Sequence, residues 1–184
     1  MKTGNNFVCL YTGNNFSFID PQPDDICFTD VKHGLAKLCR FTGACSEFYS
    51  VAQHSHHVSF LVHEKLAGAG FGHDFAEVVT GDLSTGFKQI LRDVCGEAFD
   101  ILLGRIEMVV AEKFKVPWPV TPKIVIADKE ALSMEWDNFM PAAIKPKNLP
   151  QTKHTSGISS WGNEIALAVF DTRYRDLKRE GQIA

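Results

Sequence analysis

A histidine followed at once by an aspartate, His73-Asp74 in the stretch GHDFAEVVTGDL, offers an imidazole nitrogen and an anionic oxygen from one short segment. Two further ligand-type residues stand elsewhere, His54 in SVAQHSHHV and Asp128 in KIVIADKEAL. Neutral imidazole suits first-row divalent ions, and carboxylate suits harder ones. Two of each make a mixed set that fits Mn, Fe, Co or Zn and accepts Mg. Four protein ligands on an ion that tolerates about six leave room for water and a substrate oxygen, and an open position marks a catalytic centre rather than a structural one. Water on such an ion becomes acidic; on zinc its pKa falls from ~15.7 towards ~7. Taken singly, His54 reads equally well as a hydrogen-bonded core histidine and Asp128 as a helix-surface carboxylate. Their joint occurrence on separate segments is what points to a metal.

Those segments must be rigid to hold an ion, and their patterning predicts helices. Residues 50–66 carry His54 with Val51, Val58, Leu61 and Val62 at helical spacing. Gly68-Ala69-Gly70 reads as a turn, followed by a short helix with His73, Asp74 and Glu77. Thr121-Pro122 opens a helix through Asp128 to about Asn138, with proline near its first position. Around these, residues 6–18 predict a small hairpin about Gly13-Asn14-Asn15, and Thr29-Asp30 caps a helix running to about Arg40. Gly81 to Gly86 reads as a loop, and 97–114 as an amphipathic helix stopped by Pro117 and Pro119. Residues 141–160 read as a loop or arm, and 163–180 as a last helix. The expectation is one mainly helical domain over 1–184, with a small N-terminal β-hairpin.

Composition bounds the partners. The chain has 184 residues, 45% hydrophobic and 22% charged, enough for one sizeable core. A net charge of −3 gives no reason to expect a coat of duplex nucleic acid or an anionic membrane surface. No apolar run approaches the ~18 residues of a membrane span, and no basic segment leads into an apolar stretch as in a secretory signal. Cys9, Cys27, Cys39, Cys45 and Cys95 are odd in number and form no CxxC pair, so reduced thiols in a cytoplasmic compartment are expected.

The strings TGNNFSFIDP, DVKHGLAKLCRFTG, FYSVAQHSHHVS, GHDFAEVVTGDLSTGFK and IVIADKEAL, in that order over roughly residues 11–135, resemble the HD-domain phosphohydrolases. The likeness is to compact phage and bacterial members related to deoxyribonucleotide 5'-nucleotidases. It implies an all-α HD-domain bundle with His54, His73, Asp74 and Asp128 around a divalent ion (Co, Zn, Mn or Mg) at its centre. Residues 141–184 lie outside it, as a C-terminal arm and helix.

By the same resemblance Glu77 lies beside the metal and the attacking water, and Asp82 donates a proton to the leaving 5'-oxygen; a solvent-facing glutamate and a turn or cap aspartate are the structural alternatives. Arg40 corresponds to an arginine that grips phosphate or sugar. Phe41 stands where an aromatic shapes the nucleoside pocket, Lys88 where a lysine neutralises phosphate, and His33 where a substrate contact occurs. Lys123 and Lys129 are reserve phosphate contacts, and His56, His57 and His63 read as supporting or surface groups. Ser84 and Gly86 replace prolines frequent in the relatives' loop. The function implied is metal-dependent hydrolysis of deoxynucleoside phosphates. The narrower expectation is a phage-type dATP triphosphohydrolase giving deoxyadenosine and triphosphate, and the alternatives are a deoxynucleoside 5'-monophosphatase and a non-catalytic nucleotide-binding module. Self-association is expected by analogy with such relatives.

Overall fold

The computed structural model describes residues 6–140, 144–151 and 157–184. A two-stranded antiparallel hairpin comes first, β1 (Phe7–Cys9) against β2 (Asn15–Ser17), with Val8 opposite Phe16. Helices follow: α1 (Phe28–Leu35), α2 (Val51–Leu61), α3 (Ala67–Gly72), α4 (Glu77–Thr80), α5 (Thr85–Cys95), α6 (Glu97–Phe114), α7 (Pro122–Phe139) and α8 (Asn163–Arg179). The mainly helical architecture with a small N-terminal hairpin is thus as the sequence predicts. Among the described residues, no helix is long and apolar enough to cross a membrane.

Local chemistry sets most boundaries. Ser50 caps α2 by accepting from the Gln53 N–H at 3.1 Å, which satisfies one of the orphan donors of a first turn. Asp30 ties α1 to the hairpin: its carboxylate accepts from the Cys27 N–H at 3.1 Å and from the Thr12 N–H at 2.9 Å. Pro122 stands in the first turn of α7, where its missing N–H costs nothing. Lys115, in the left-handed conformation, terminates α6.

Three expectations are corrected. The first concerns α1, which stops at Leu35 and does not reach Arg40. Although Leu38 continues the apolar spacing, the backbone of 38–40 pairs with 49–51 instead: Val51 N–H bonds the Leu38 carbonyl at 3.0 Å, and Arg40 N–H the Tyr49 carbonyl at 2.8 Å. Second, Gly68-Ala69-Gly70 lies inside α3 and is not a turn, while His73-Asp74 sits in the turn that joins α3 to α4. The glycines serve close approach. A Cβ on Gly68 would stand 2.4 Å from the Gln182 carbonyl oxygen, and one on Gly72 would stand 2.5 Å from Val116 Cγ1. The third is the loop read over Gly81 to Gly86, which ends at Ser84: α5 begins at Thr85, with Gly86 in its first turn. Ser84 caps it at Phe87 N, and none of its residues is buried, so Phe87, Ile90 and Val94 stay exposed.

Helix α2 runs through the middle and packs against α3, α7 and α8. Residues at both ends of the chain complete the core: Phe16 and Ile26 from the N-terminal region, Phe71, Phe75 and Phe114 from the centre, and Phe170 and Leu177 from α8. Phe75 meets Phe114 edge-on at 5.1 Å, and Phe71 packs on Phe170 at 4.4 Å. Burying each such side chain stabilises the fold by roughly 1.5–3 kcal/mol. The C-terminal helix therefore completes the core, while Pro146, Asn148 and Leu149 of the preceding turn segment line a cavity at the face of α7.

Candidate metal centre

Helix α2 delivers His54, the α3–α4 turn delivers His73 and Asp74, and α7 delivers Asp128. The Nδ1 of His73 lies 2.7 Å from the Gly70 carbonyl, and that of His54 lies 2.6 Å from Glu135 Oε1. A carbonyl and an ionised carboxylate only accept, so each ring carries its proton on Nδ1; in the neutral ring Nε2 is left as a lone pair. Those two Nε2 atoms face one another at 3.4 Å. Asp74 Oδ2 is 3.3 Å from the first and 3.1 Å from the second. Asp128 Oδ1 is 3.2 Å from His54 Nε2 and 4.0 Å from His73 Nε2. Two ligands ~2.1 Å from one ion stand roughly 3.0–3.4 Å apart at octahedral or tetrahedral angles. His54, His73 and Asp74 make a group of that size that could hold a metal ion, and Asp128 borders it on the His54 side.

The electrostatics ask for positive charge at the same point. Burial and Arg40 both favour neutral His54, yet Glu135, Asp128 and Asp74 outweigh them and hold its pKa well above the imidazole range. Burial would raise Asp74, but the facing His73 and His54 hold it well below the carboxylate range. Asp128 is lowered against its burial, chiefly by His54. A proton on Nε2 or a cation between the ligands meets the demand, and the donor set fits a divalent ion.

Asp74 and Asp128 of this group line a cavity of about 480 Å³, whose wall does not include His54 or His73. Arg40, Phe41, Asp74, Glu77, Asp82, Lys88 and Asp128 all line it, so most of the residues singled out in the sequence share this space. His33 does not: it stacks on Tyr11 at 3.7 Å beside the hairpin. Lys123 and Lys129 are likewise absent from the wall. His56 and His57 are neutral supports, both pushed down to about 4, first by burial.

Glu77 is half-buried, and its solvent-shielded Oε2 has no hydrogen-bond partner among the described residues. Burial first, then Asp74 and Asp82, push its pKa well above the usual carboxylate range, against the pull of Arg40 and Lys88. Lys88 Nζ approaches its other oxygen at 3.9 Å. Phe41 and Thr42 are both left-handed, with φ of 56° and 53°, at roughly 1–2 kcal/mol each. This turn leaves Phe41 on the cavity wall, edge-on to Trp136 at 5.9 Å. Leu132 and Leu149 extend the apolar wall.

Sequence reasoning missed Glu135. It is fully buried and accepts from His54 Nδ1, from Tyr49 Oη at 3.0 Å and from Arg40 Nε at 3.0 Å. Despite its burial these partners, Arg40 foremost, hold its pKa at about 2. One signal was available: Glu135 lies two helical turns after Asp128, on the same face of α7.

No family model matches the chain. The chain is similar to the uncharacterized protein YfdR of Escherichia coli strain K12, 31% identical over 129 residues that cover 70% of each chain. It is also similar to an uncharacterized protein of Rhodobacter capsulatus, 30% identical over 139 residues, covering 68% of this chain and 69% of that one.

Proposed function

We propose that this chain, which belongs to the same family as Escherichia coli YfdR, is a divalent-metal-dependent phosphohydrolase of the HD type acting on deoxynucleoside phosphates. One observation carries the reading: the Nε2 atoms of His54 and His73 converge with the carboxylates of Asp74 and Asp128, and those carboxylates line a cavity whose walls also hold Arg40 and Lys88. At about 480 Å³ the cavity falls within the roughly 300–1,000 Å³ of small-molecule sites.

His54, His73, Asp74 and Asp128 would hold the cation. When bound, it acidifies water and draws charge from phosphoryl oxygens. The rest falls to the chain itself. Glu77, on the cavity wall with its Oε2 unpaired, accepts a proton from the attacking water. Arg40 and Lys88 offset the charge that builds on the phosphoryl oxygens. Asp82 returns a proton to the departing oxygen. Phe41, Trp136, Leu132 and Leu149 offer the base an apolar, aromatic wall away from the charges. The narrower proposal is attack at the α-phosphorus of dATP, which releases triphosphate.

The test is to strip the protein with a chelator, reload it with Co, Mn, Zn or Mg, and assay phosphate, pyrophosphate and triphosphate release from the four dNTPs and dNMPs. Triphosphate from dATP alone supports the narrower reading, and phosphate from monophosphates supports a 5'-nucleotidase. Nucleotide binding without turnover under any metal would leave a binding module and overturn the enzymatic reading.

A further inference from the structure

Glu135 touches two groups that the proposed chemistry uses for different purposes. Oε1 accepts from His54 Nδ1 at 2.6 Å and from Tyr49 Oη at 3.0 Å, while Oε2 accepts from Arg40 Nε at 3.0 Å. All of this takes place out of solvent, with His54 and Glu135 at 0% exposure and Arg40 at 8%. From this hub we infer that Glu135 is the positioning residue of the site: one carboxylate aims the His54 lone pair at the cation and holds the Arg40 guanidinium beside the anion. Cation affinity and phosphate affinity then depend on the same side chain. The inference rests on the proposed reading of the centre as a metal site.

Two physical consequences give the carboxylate a role that an amide cannot fill. The first is directional. An imidazole that donates from Nδ1 to a carboxylate has its tautomer and ring plane fixed, and Nε2 becomes the better ligand. A glutamine would offer a single acceptor oxygen and would set its own N–H₂ against another donor. The second is competitive. Arg40 is a buried cation that needs a counter-charge, and its Nη1 already lies 3.9 Å from Asp74 Oδ2. With Glu135 neutralised, the nearest remaining anion for Arg40 is a candidate metal ligand. Glu135 therefore keeps the guanidinium off Asp74 and free to meet phosphate.

Cobalt(II) serves as the probe, with calorimetry for its affinity, its visible absorption for ligand geometry, and inorganic phosphate titrated into the cobalt-loaded protein. Glu135→Gln is expected to weaken cobalt binding roughly 10–100-fold, to alter the cobalt spectrum, and to weaken phosphate binding as well. Tyr49→Phe removes a donor from the same oxygen but leaves His54 and Arg40 bonded, and both affinities are expected to stay within about threefold of wild type. If wild-type protein binds no cobalt, the metal reading itself falls. If wild type binds cobalt and Glu135→Gln matches it in affinity and spectrum, the positioning role falls while the metal reading stands. Loss of only one of the two affinities would overturn the shared dependence. Should Glu135→Gln not fold, nitrogen-15 histidine spectra of the zinc-loaded wild type decide: the inference requires the His54 proton on Nδ1, downfield and slow to exchange, and a proton on Nε2 would overturn it.

Discussion

Asp74 and Asp82 line one cavity, and the proposed reading gives them different work. Asp74 has its Oδ2 within 3.3 Å of both facing imidazole nitrogens, whereas Asp82 stands near Glu77 and Arg40 without touching the histidines. Substitution separates the two roles. Asp74→Ala is expected to lose metal-dependent turnover by about a thousandfold or more and to lose the metal, while circular dichroism shows the helices intact. Asp82→Asn keeps the metal and slows turnover by roughly a hundredfold, the scale of one proton-transfer group. Equal metal content in both variants, or wild-type rates in either, would show that the assignment is wrong. The ligand-type residues were legible because a His-Asp pair, a further His and a further Asp occur together on three separate segments, in the order of the strings that carry the resemblance. Glu135 was not, because a lone glutamate on a helix is ordinarily solvated, and only the three-dimensional meeting of His54, Tyr49 and Arg40 reveals why it is buried.

The short helix α3 shows where element-level reading succeeded and where it failed. Long amphipathic helices were plain, and α6 begins and ends at the residues its stripe and prolines indicate. Glycines were misread, because a sequence shows that a side chain is missing but not which neighbour fills the room. In α3 the room is filled by the chain terminus: Gly68 N–H donates to Gln182 Oε1 at 3.0 Å, and the Gln182 carbonyl lies where a Cβ would go. The sign of a substitution discriminates between the two explanations. At an open helical position Gly→Ala stabilises by up to about 1 kcal/mol. Gly68→Ala must instead displace backbone and is expected to destabilise by roughly 1–3 kcal/mol, with His73 and Asp74 shifted and cobalt affinity reduced. Thermal melts would check it, and a rise in Tm would refute the close-packing account. The same limit explains α1: the apolar spacing predicted a longer helix, and pairing of 38–40 with 49–51 took the backbone bonds that continuation needed.

At the scale of the whole molecule, the candidate centre joins parts that are distant in the chain. Position 54 lies on α2, positions 73 and 74 on the α3–α4 turn, and position 128 on α7, and α2 is packed on both α3 and α7. A cation held there exists only when these elements are assembled, so it binds the folded state and not the unfolded chain. Linkage then gives a stabilisation that grows with free metal, about 2.7 kcal/mol at a hundredfold excess over Kd. For a chain of this length each kcal/mol raises Tm by about 2–4 °C, so cobalt or manganese at that excess is expected to shift the melt upward by roughly 5–10 °C. A chelator should reverse the shift, and Asp74→Ala should abolish it, while Asp82→Asn, outside the ligand set, should retain it. Scanning calorimetry of the three proteins with and without metal is the check. An identical shift in Asp74→Ala would place the ion elsewhere on the surface, and no shift in wild type at millimolar metal would mean that the four groups converge without holding one.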